Sequence, residues 1–211
     1  MSKMEAVLKV MKAAPVIPVV VVDDVGLAVK LARALVAGGL PAIEITLRTP
    51  NALDCIRAVA SEVEGAIAGA GTVLDRGQIA AVEKAGAQFM VSPGAAPRLL
   101  EAAADTSVPL LPGAATASEM MALGEAGYTC LKFFPAEAAG GATYLKSIAS
   151  PLPQFTICPT GGIDLAKAPT YLALPNVACV GGSWVAPANL MEAGDWAAIE
   201  TLAREAAGLA A

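Results

Sequence analysis

Short apolar runs alternate along the chain with alanine-rich stretches in which hydrophobic residues recur at helical spacing. Eight such runs cover residues 16–22, 42–48, 66–72, 88–94, 108–114, 129–135, 155–162 and 177–184. They recur roughly every 20 to 25 residues, which is the length of a strand, a loop and a short helix. The pattern therefore predicts a series of βα units.

The stretches between the runs carry helix start and stop signals. Asp24 is a preferred N-cap residue for the helix after the first run, and Gly38-Gly39 is a typical stop signal at its other end. Thr116 and Glu119 have the spacing of a capping box. A last helix follows the eighth run, and residues 1–14 are predicted to supply an extra N-terminal helix ahead of the first.

Eight strands, each followed by a helix, fit a (β/α)8 barrel, or TIM barrel, formed as a single domain by residues 1–211. An open, doubly wound sheet has a similar alternation. The barrel is favoured because it brings the C-terminal ends of all strands to one face, and polar, glycine or proline residues stand at nearly every such end. These residues are Glu44, Arg48, Thr72, Ser92, Pro93, Gly94, Pro112, Gly113, Lys132, Thr160, Gly161, Gly162, Gly181, Gly182 and Ser183.

Composition narrows the class of protein. Hydrophobic residues make up 56% and charged residues 16% of the 211, which is typical of a folded globular chain. The net charge of -5 argues against a nucleic-acid surface, because that needs clustered Lys and Arg. The longest strongly apolar run is about half the roughly 20 residues that span a bilayer, so no membrane segment or signal peptide is expected. The four scattered cysteines predict reduced thiols and a cytoplasmic location.

The chain contains no histidine. This excludes Ser-His-Asp and Cys-His catalysis, and it excludes zinc or iron sites with histidine ligands. Acid–base chemistry is left to Glu, Asp, Lys, Tyr, Cys or water.

The stretch "TCLKFFPAE" places a lysine inside an apolar strand. Alternation along the strand puts Cys130, Lys132 and Phe134 on one face, and Leu131 and Phe133 on the other. If the second pair packs beneath a helix, the lysine points into the barrel. A buried ion pair is one interpretation; an amine nucleophile is the other, since desolvation favours the neutral amine that attacks a ketone to form a Schiff base.

The stretch "IEITLR" has a polar face formed by Glu44, Thr46 and Arg48. A structural network of salt bridges inside the barrel would explain it. Schiff-base chemistry explains it as well, because a glutamate near the amine can shuttle protons and an arginine can bind the carboxylate of a 2-oxo acid in bidentate fashion.

Two diglycines, in "TGGI" and "GGSW", follow the seventh and eighth strands. Either one alone is more often a tight turn. Together they occupy the two loops in which barrels commonly bind phosphate through backbone N–H groups. Ser183 adds a hydroxyl donor, and Thr72 in "AGAGT" supplies a polar contact at the rim.

The motifs "EITLRT", "GAGTVL", "VSPG", "KFFPAE", "PTGGI" and "GGSW", in this order, closely resemble the class I 2-dehydro-3-deoxy-6-phosphogluconate (KDPG) aldolases, also known as 4-hydroxy-2-oxoglutarate (KHG) aldolases. The resemblance runs from about Pro15 to the last helix. It implies a homotrimer that needs no metal and no cofactor, acting on a small 2-oxo acid sugar substrate.

The resemblance also implies roles for individual residues. Lys132 matches the Schiff-base lysine and Glu44 the general acid–base. The remaining matches are to substrate-binding residues: Arg48, Thr72 and Pro93 for the pyruvate moiety, Thr160 for the aldehyde end, and Gly161, Gly162, Gly182 and Ser183 for the phosphate.

The reaction implied is cleavage of KDPG to pyruvate and D-glyceraldehyde 3-phosphate in the Entner–Doudoroff pathway, with KHG cleavage to pyruvate and glyoxylate as a second activity. A phosphogalactonate-type aldolase is an alternative, although "TLRT" favours the gluconate branch. A sugar-phosphate-binding barrel without a covalent intermediate is another. Some relatives carry an arginine at the end of the first strand where this chain has "VVVVDD", so the cation that assists the phosphate is unassigned.

Overall fold

The structure is a computed structural model that describes residues 1–209. The strands are β1 (Val16–Val20), β2 (Ala42–Thr46), β3 (Ile67–Gly71), β4 (Phe89–Val91), β5 (Leu110–Leu111), β6 (Gly113–Ala114), β7 (Cys130–Phe133), β8 (Thr156–Pro159) and β9 (Val180–Gly182). The helices are α1 (Lys3–Met11), α2 (Val25–Ala37), α3 (Ala52–Glu62), α4 (Arg76–Lys84), α5 (Pro97–Asp105), α6 (Ala117–Glu125), α7 (Gly141–Ile148), α8 (Ala168–Leu172), α9 (Ala188–Ala193) and α10 (Trp196–Ala207). None of the helices within residues 1–209 is long and apolar enough to cross a membrane. The single-domain prediction extends to residue 211, and its last two residues lie outside the described part of the chain.

The strands form a closed parallel barrel. One arc has the order β5-β4-β3-β2-β1-β9 and the other β6-β7-β8. The arcs join at Pro112, which divides a single run into β5 and β6 because proline has no N–H for the ladder. At the other seam, parallel bridges pair Thr160 with Gly181 and Ile157 with Val177. The predicted (β/α)8 barrel is confirmed, and the alternative of an open sheet is wrong.

The predicted helix caps are present, but one helix ends earlier than predicted and one helix was not predicted. The Asp24 side chain accepts a hydrogen bond from the Leu27 N–H at 2.7 Å, and Thr116 forms the capping box of α6. The N-terminal helix ends at Met11, three residues before the predicted boundary at residue 14. The sequence analysis did not predict α9, a helix of only 6 residues that follows Pro187.

The apolar side chains form two separate layers. The larger layer lies between the strands and the outer helices and includes Leu131 and Phe133, as the strand alternation predicts. The smaller lies inside the barrel, where Val7, Val10 and Met11 of α1 pack against inward-facing strand residues. These residues are Ile17, Ala42, Phe89, Val91, Leu111, Cys130 and Cys158 in the strands, and Cys179 just before β9. The N-terminal helix therefore closes the lower end of the barrel, and the polar side chains are left at the upper end, where the strands finish.

Candidate active site

Lys132 and Glu44 meet inside the barrel. The Lys132 Nζ lies 3.3 Å from the Glu44 Oε1, and only 4% and 3% of the two residues is exposed. Their strands, β7 and β2, lie on opposite walls of the barrel. If β5 and β6 are counted as one strand, three strands separate β7 from β2 in either direction around the barrel. The contact therefore spans the barrel interior. Both the salt-bridge and the nucleophile interpretations of this lysine require such a pair.

Glycines on neighbouring strands make room for the pair. A Cβ on Gly71 would lie 2.2 Å from the Glu44 Oε1, so no larger residue fits there without displacing the carboxylate. Gly113 is the register partner of Lys132, and a Cβ on it would lie 2.4 Å from the backbone carbonyl of Pro93. Pro93 thus lies beside the strand that neighbours the lysine.

Phe134 contacts the lysine from the same side of β7. The Lys132 Nζ lies 5.2 Å from the centroid of the Phe134 ring, within the range of a cation–π interaction. The sequence analysis placed Phe134 on the lysine face but gave it no role. Phe134 also lines the cavity that the two glycine loops border.

Arg48 and Thr72 form a second pair at the rim. The Arg48 Nε donates a hydrogen bond to the Thr72 Oγ1 at 3.1 Å. Thr72 has a φ of 59°, in the left-handed region that β-branched residues rarely adopt, at a cost of about 1–3 kcal/mol. Within residues 1–209, the terminal nitrogens of the Arg48 guanidinium make no hydrogen bond, so they can bind an anion. Thr46 lies on the same face of β2 as Glu44, and its hydroxyl donates a hydrogen bond to the Val20 carbonyl at 3.0 Å.

A cavity of about 250 Å³ opens beside these residues. It is lined by Val19, Val21, Arg48, Phe134, Thr160, Gly161, Gly162, Ile163, Gly181, Gly182 and Ser183. Within the described residues, Arg48 is the only charged side chain among them. Asp23 and Asp24 near this rim accept hydrogen bonds from the N–H groups of Asn51 and Leu27. Two larger cavities of about 530 Å³ lie between outer helices, away from the Lys132–Glu44 pair.

The loop after β8 presents unused N–H groups at the cavity. The carbonyls of Thr160 and Gly161 accept hydrogen bonds from the N–H groups of Ala136 and Glu137, at 2.8 and 3.1 Å. In a trans peptide the carbonyl of one residue and the N–H of the next point in opposite directions. The parallel bridge between Thr160 and Gly181 uses the N–H of Gly161, whereas the N–H groups of Gly162 and Ile163 donate to no atom of residues 1–209. Consecutive free N–H groups of this kind form an anion-binding concavity.

The loop after β9 completes this wall of the cavity. A Cβ on Gly181 would lie 2.2 Å from the Thr160 Oγ1, and one on Gly182 would lie 1.8 Å from the Trp184 ring. The two glycines therefore allow Thr160 and Trp184 to lie directly against the backbone. Ser183 is exposed at the cavity. Both diglycine loops line the same cavity, as the sequence analysis predicts.

Three side chains behind the loop after β8 were missed at the sequence level. Glu137, Lys167 and Tyr171 lie in a cluster that contacts the carbonyl side of this loop. The only local signal was Glu137 itself, in "FPAE". Within residues 1–209, no group of three or more His, Cys, Asp or Glu side chains is arranged to hold a metal ion.

Comparisons with known proteins identify the family. The family model for KDPG and KHG aldolase matches residues 7–202. The KHG/KDPG aldolase of Escherichia coli (strain K12) is 52% identical over 197 residues, which cover 93% of this chain and 92% of that protein. The crystal structure of the aldolase of Zymomonas mobilis ZM4 with 3-phosphoglycerate has a TM-score of 0.92 and 47% identity, covering 98% of this chain and 97% of that one.

A second solved structure carries direct chemical information about its own protein. It is the KDPG aldolase of Legionella pneumophila, with pyruvate captured as a covalent carbinolamine intermediate. It superposes with a TM-score of 0.93 at 44% identity and covers 95% of this chain and 98% of that one. The match over nearly the whole sequence, the barrel and the motifs around the buried lysine agree: the chain belongs to the KDPG and KHG aldolase family.

Proposed function

We propose that this protein is a class I aldolase that cleaves KDPG to pyruvate and D-glyceraldehyde 3-phosphate, and KHG to pyruvate and glyoxylate. The observation that carries the proposal is the buried Lys132–Glu44 pair, with 3.3 Å between Nζ and Oε1, next to a cavity lined by unused N–H groups. The names of the relatives and the carbinolamine of the Legionella enzyme support the same chemistry.

The reaction begins with proton transfer inside the pair. Glu44 accepts a proton from Lys132 across the 3.3 Å contact, which leaves a neutral amine. The amine attacks the C2 ketone and forms a C–N bond, and one proton passes from the nitrogen to the former carbonyl oxygen to give the carbinolamine. Loss of water, with Glu44 supplying the second proton, gives the iminium, which acts as an electron sink.

Carbon–carbon cleavage uses the same carboxylate as a base. Glu44 takes the proton of the C4 hydroxyl through a water molecule, and the C3–C4 bond breaks. The electron pair of that bond moves into the iminium to form an enamine, and the aldehyde leaves. Protonation at C3 and hydrolysis of the C–N bond by water then release pyruvate and restore the Lys132 amine.

The substrate is held at both ends. We assign the 2-oxo acid carboxylate to Arg48, because its Nε is fixed by Thr72 at 3.1 Å and its side chain lines the cavity. Pro93 borders the pyruvate end and Thr160 the aldehyde end. The phosphate is assigned to the two glycine loops, namely Gly161, Gly162, Gly182 and Ser183.

Borohydride reduction in the presence of pyruvate tests the mechanism. The expected result is a reduced pyruvyl adduct on Lys132 in the wild type and in a Lys146→Met control, which removes an exposed lysine of α7. Lys132→Met should lose both the adduct and all turnover while still binding the phosphorylated substrate. An adduct on another lysine, or no adduct at all, would refute the proposal. Turnover without an adduct would favour a barrel that acts without a covalent intermediate.

The substrate preference is tested by comparing kcat/KM for KDPG, its galactonate epimer and KHG. Higher kcat/KM for the gluconate form is expected; preference for the epimer would indicate the phosphogalactonate alternative. Because no step uses a metal or a cofactor, activity should persist in EDTA.

The cellular setting and assembly form a further part of the proposal. We place the enzyme in the Entner–Doudoroff pathway of the cytoplasm, supported by the KDPG aldolases among its relatives and by four buried free thiols. A homotrimer is expected from the family resemblance. Light scattering should then give a mass three times the 21.1 kDa of one chain.

A further inference from the structure

Glu137, Lys167 and Tyr171 form a polar cluster on the carbonyl side of the loop after β8, residues 160–163. The Lys167 Nζ donates to the Gly162 carbonyl at 2.8 Å and lies 2.9 Å from the Glu137 Oε2. The Tyr171 hydroxyl donates to the other oxygen of Glu137. The hydrogen bond from Tyr171, followed by that from Lys167, lowers the pKa of the Glu137 carboxyl. The lysine is thus held between a carboxylate and a loop carbonyl.

The cluster continues a row of backbone hydrogen bonds along the same loop. The N–H groups of Ala136 and Glu137 bind the carbonyls of Thr160 and Gly161, and Lys167 binds the next carbonyl, that of Gly162. Three successive carbonyls are therefore held on one side. The N–H groups of Gly162 and Ile163, which follow the last two of these carbonyls, are left for the cavity.

The position of Lys167 argues against direct contact with a ligand. It does not line the cavity, and its charge is neutralised by Glu137. Gly162, in contrast, lines the cavity and has a φ of 77°. A Cβ on Gly162 would lie 2.9 Å from the Cβ of Glu137, so the loop and the cluster are in close contact. What Lys167 determines is the direction of the Gly162 peptide.

We propose that Lys167, held by Glu137 and Tyr171, is a positioning residue that orients the loop of residues 160–163 to bind the phosphate of the substrate. The inference rests on the proposed function. It predicts that the cluster strengthens the binding of phosphorylated substrates alone, because KHG has no phosphate for the loop to bind. The Lys132–Glu44 pair, in contrast, is needed for the cleavage of both substrates.

The test compares Lys167→Met with Lys146→Met as a matched control, since Lys146 is an exposed lysine that lines a different cavity. Three quantities are measured: KM and kcat for KDPG and for KHG, the inhibition constant of inorganic phosphate, and the rate of pyruvate trapping at Lys132. In Lys167→Met, KM for KDPG and the inhibition constant of phosphate should both rise about tenfold, equivalent to ~1.4 kcal/mol. KHG cleavage and pyruvate trapping should stay within about twofold of the wild type. Lys167→Arg, which keeps a cationic donor, should recover part of the loss.

Equal losses on KDPG and KHG, or no loss on either, would overturn the inference. If Lys167→Met does not fold, Tyr171→Phe decides, because it removes the hydrogen bond from Tyr171 to Glu137 while leaving Lys167 in place. A selective rise in KM for KDPG supports the inference. An unchanged ratio of the KM for KDPG to the KM for KHG overturns it. Failure of the proposed function itself would be visible in the wild type, as absence of the pyruvate adduct and of KDPG cleavage.

Discussion

Replacement of Gly71 by alanine would test the position of the Glu44 carboxylate. A Cβ at this position would lie 2.2 Å from Oε1 and 2.7 Å from Cγ of Glu44, whereas real Cβ contacts stay above 3.0 Å. The carboxylate must therefore move by roughly 1 Å, and a displacement of that size costs about 100-fold in rate. We expect kcat/KM to fall by about 100-fold, or ~2.7 kcal/mol of transition-state stabilisation.

The same strand offers a matched control. Gly69 lies two residues earlier on the same face of β3, but a Cβ there would meet the Phe89 ring at 2.2 Å and not the carboxylate. Gly69→Ala should lower the free energy of unfolding by about 1–3 kcal/mol through overpacking. Its kcat/KM per folded enzyme should remain near that of the wild type. Turnover would be measured with KHG and KDPG, and the folded fraction by circular dichroism, because trapping of pyruvate itself depends on Glu44.

A double-mutant cycle separates displacement of Glu44 from general damage. In a Glu44→Ala background the added methyl group has no carboxylate to displace, so Gly71→Ala should cause little further loss. The reasoning would be refuted by a folded Gly71→Ala variant with wild-type kcat/KM. It would equally be refuted by the same loss in both backgrounds.

Three further predictions concern other groups. Arg48→Lys should raise KM for KHG about tenfold with a smaller change in kcat, because lysine lacks the Nε donor to Thr72 and the planar fork for a carboxylate; an unchanged KM contradicts this assignment. Since the pKa of Glu137 is lowered, chiefly by Tyr171, its contribution to stability is present above the ordinary glutamate pKa of 4.5 and is lost as the pH falls through the lowered value. In urea unfolding, the difference in free energy of unfolding between wild type and Glu137→Gln should therefore shrink in acid. A difference that does not depend on pH would contradict this prediction. Burial raises the pKa of the Cys55 thiol to about 11, so iodoacetamide at mildly alkaline pH should label Cys55 only after unfolding; rapid labelling of the native protein would contradict this expectation.

The elements of this fold are recognisable in the sequence because their signals are local. Alternation with period two assigned Leu131 and Phe133 to the layer beneath the helices, and both are found there. Asp24 and Thr116 act as caps, since a cap is formed by residues three positions apart. The helix α9 escaped prediction because 6 residues leave little room for a helical pattern.

The sequence by itself determined the βα repeat, the inward face of Lys132 and the glycine loops at the strand ends. It suggested Glu44 as a partner, but only barrel closure decided that the two side chains meet at 3.3 Å, because β2 and β7 stand on opposite walls. The cluster of Glu137, Lys167 and Tyr171 is likewise tertiary, since Glu137 and Tyr171 are 34 residues apart in sequence. Periodicity assigns a side chain to a face, whereas its neighbours across the barrel depend on the register and closure of all the strands together.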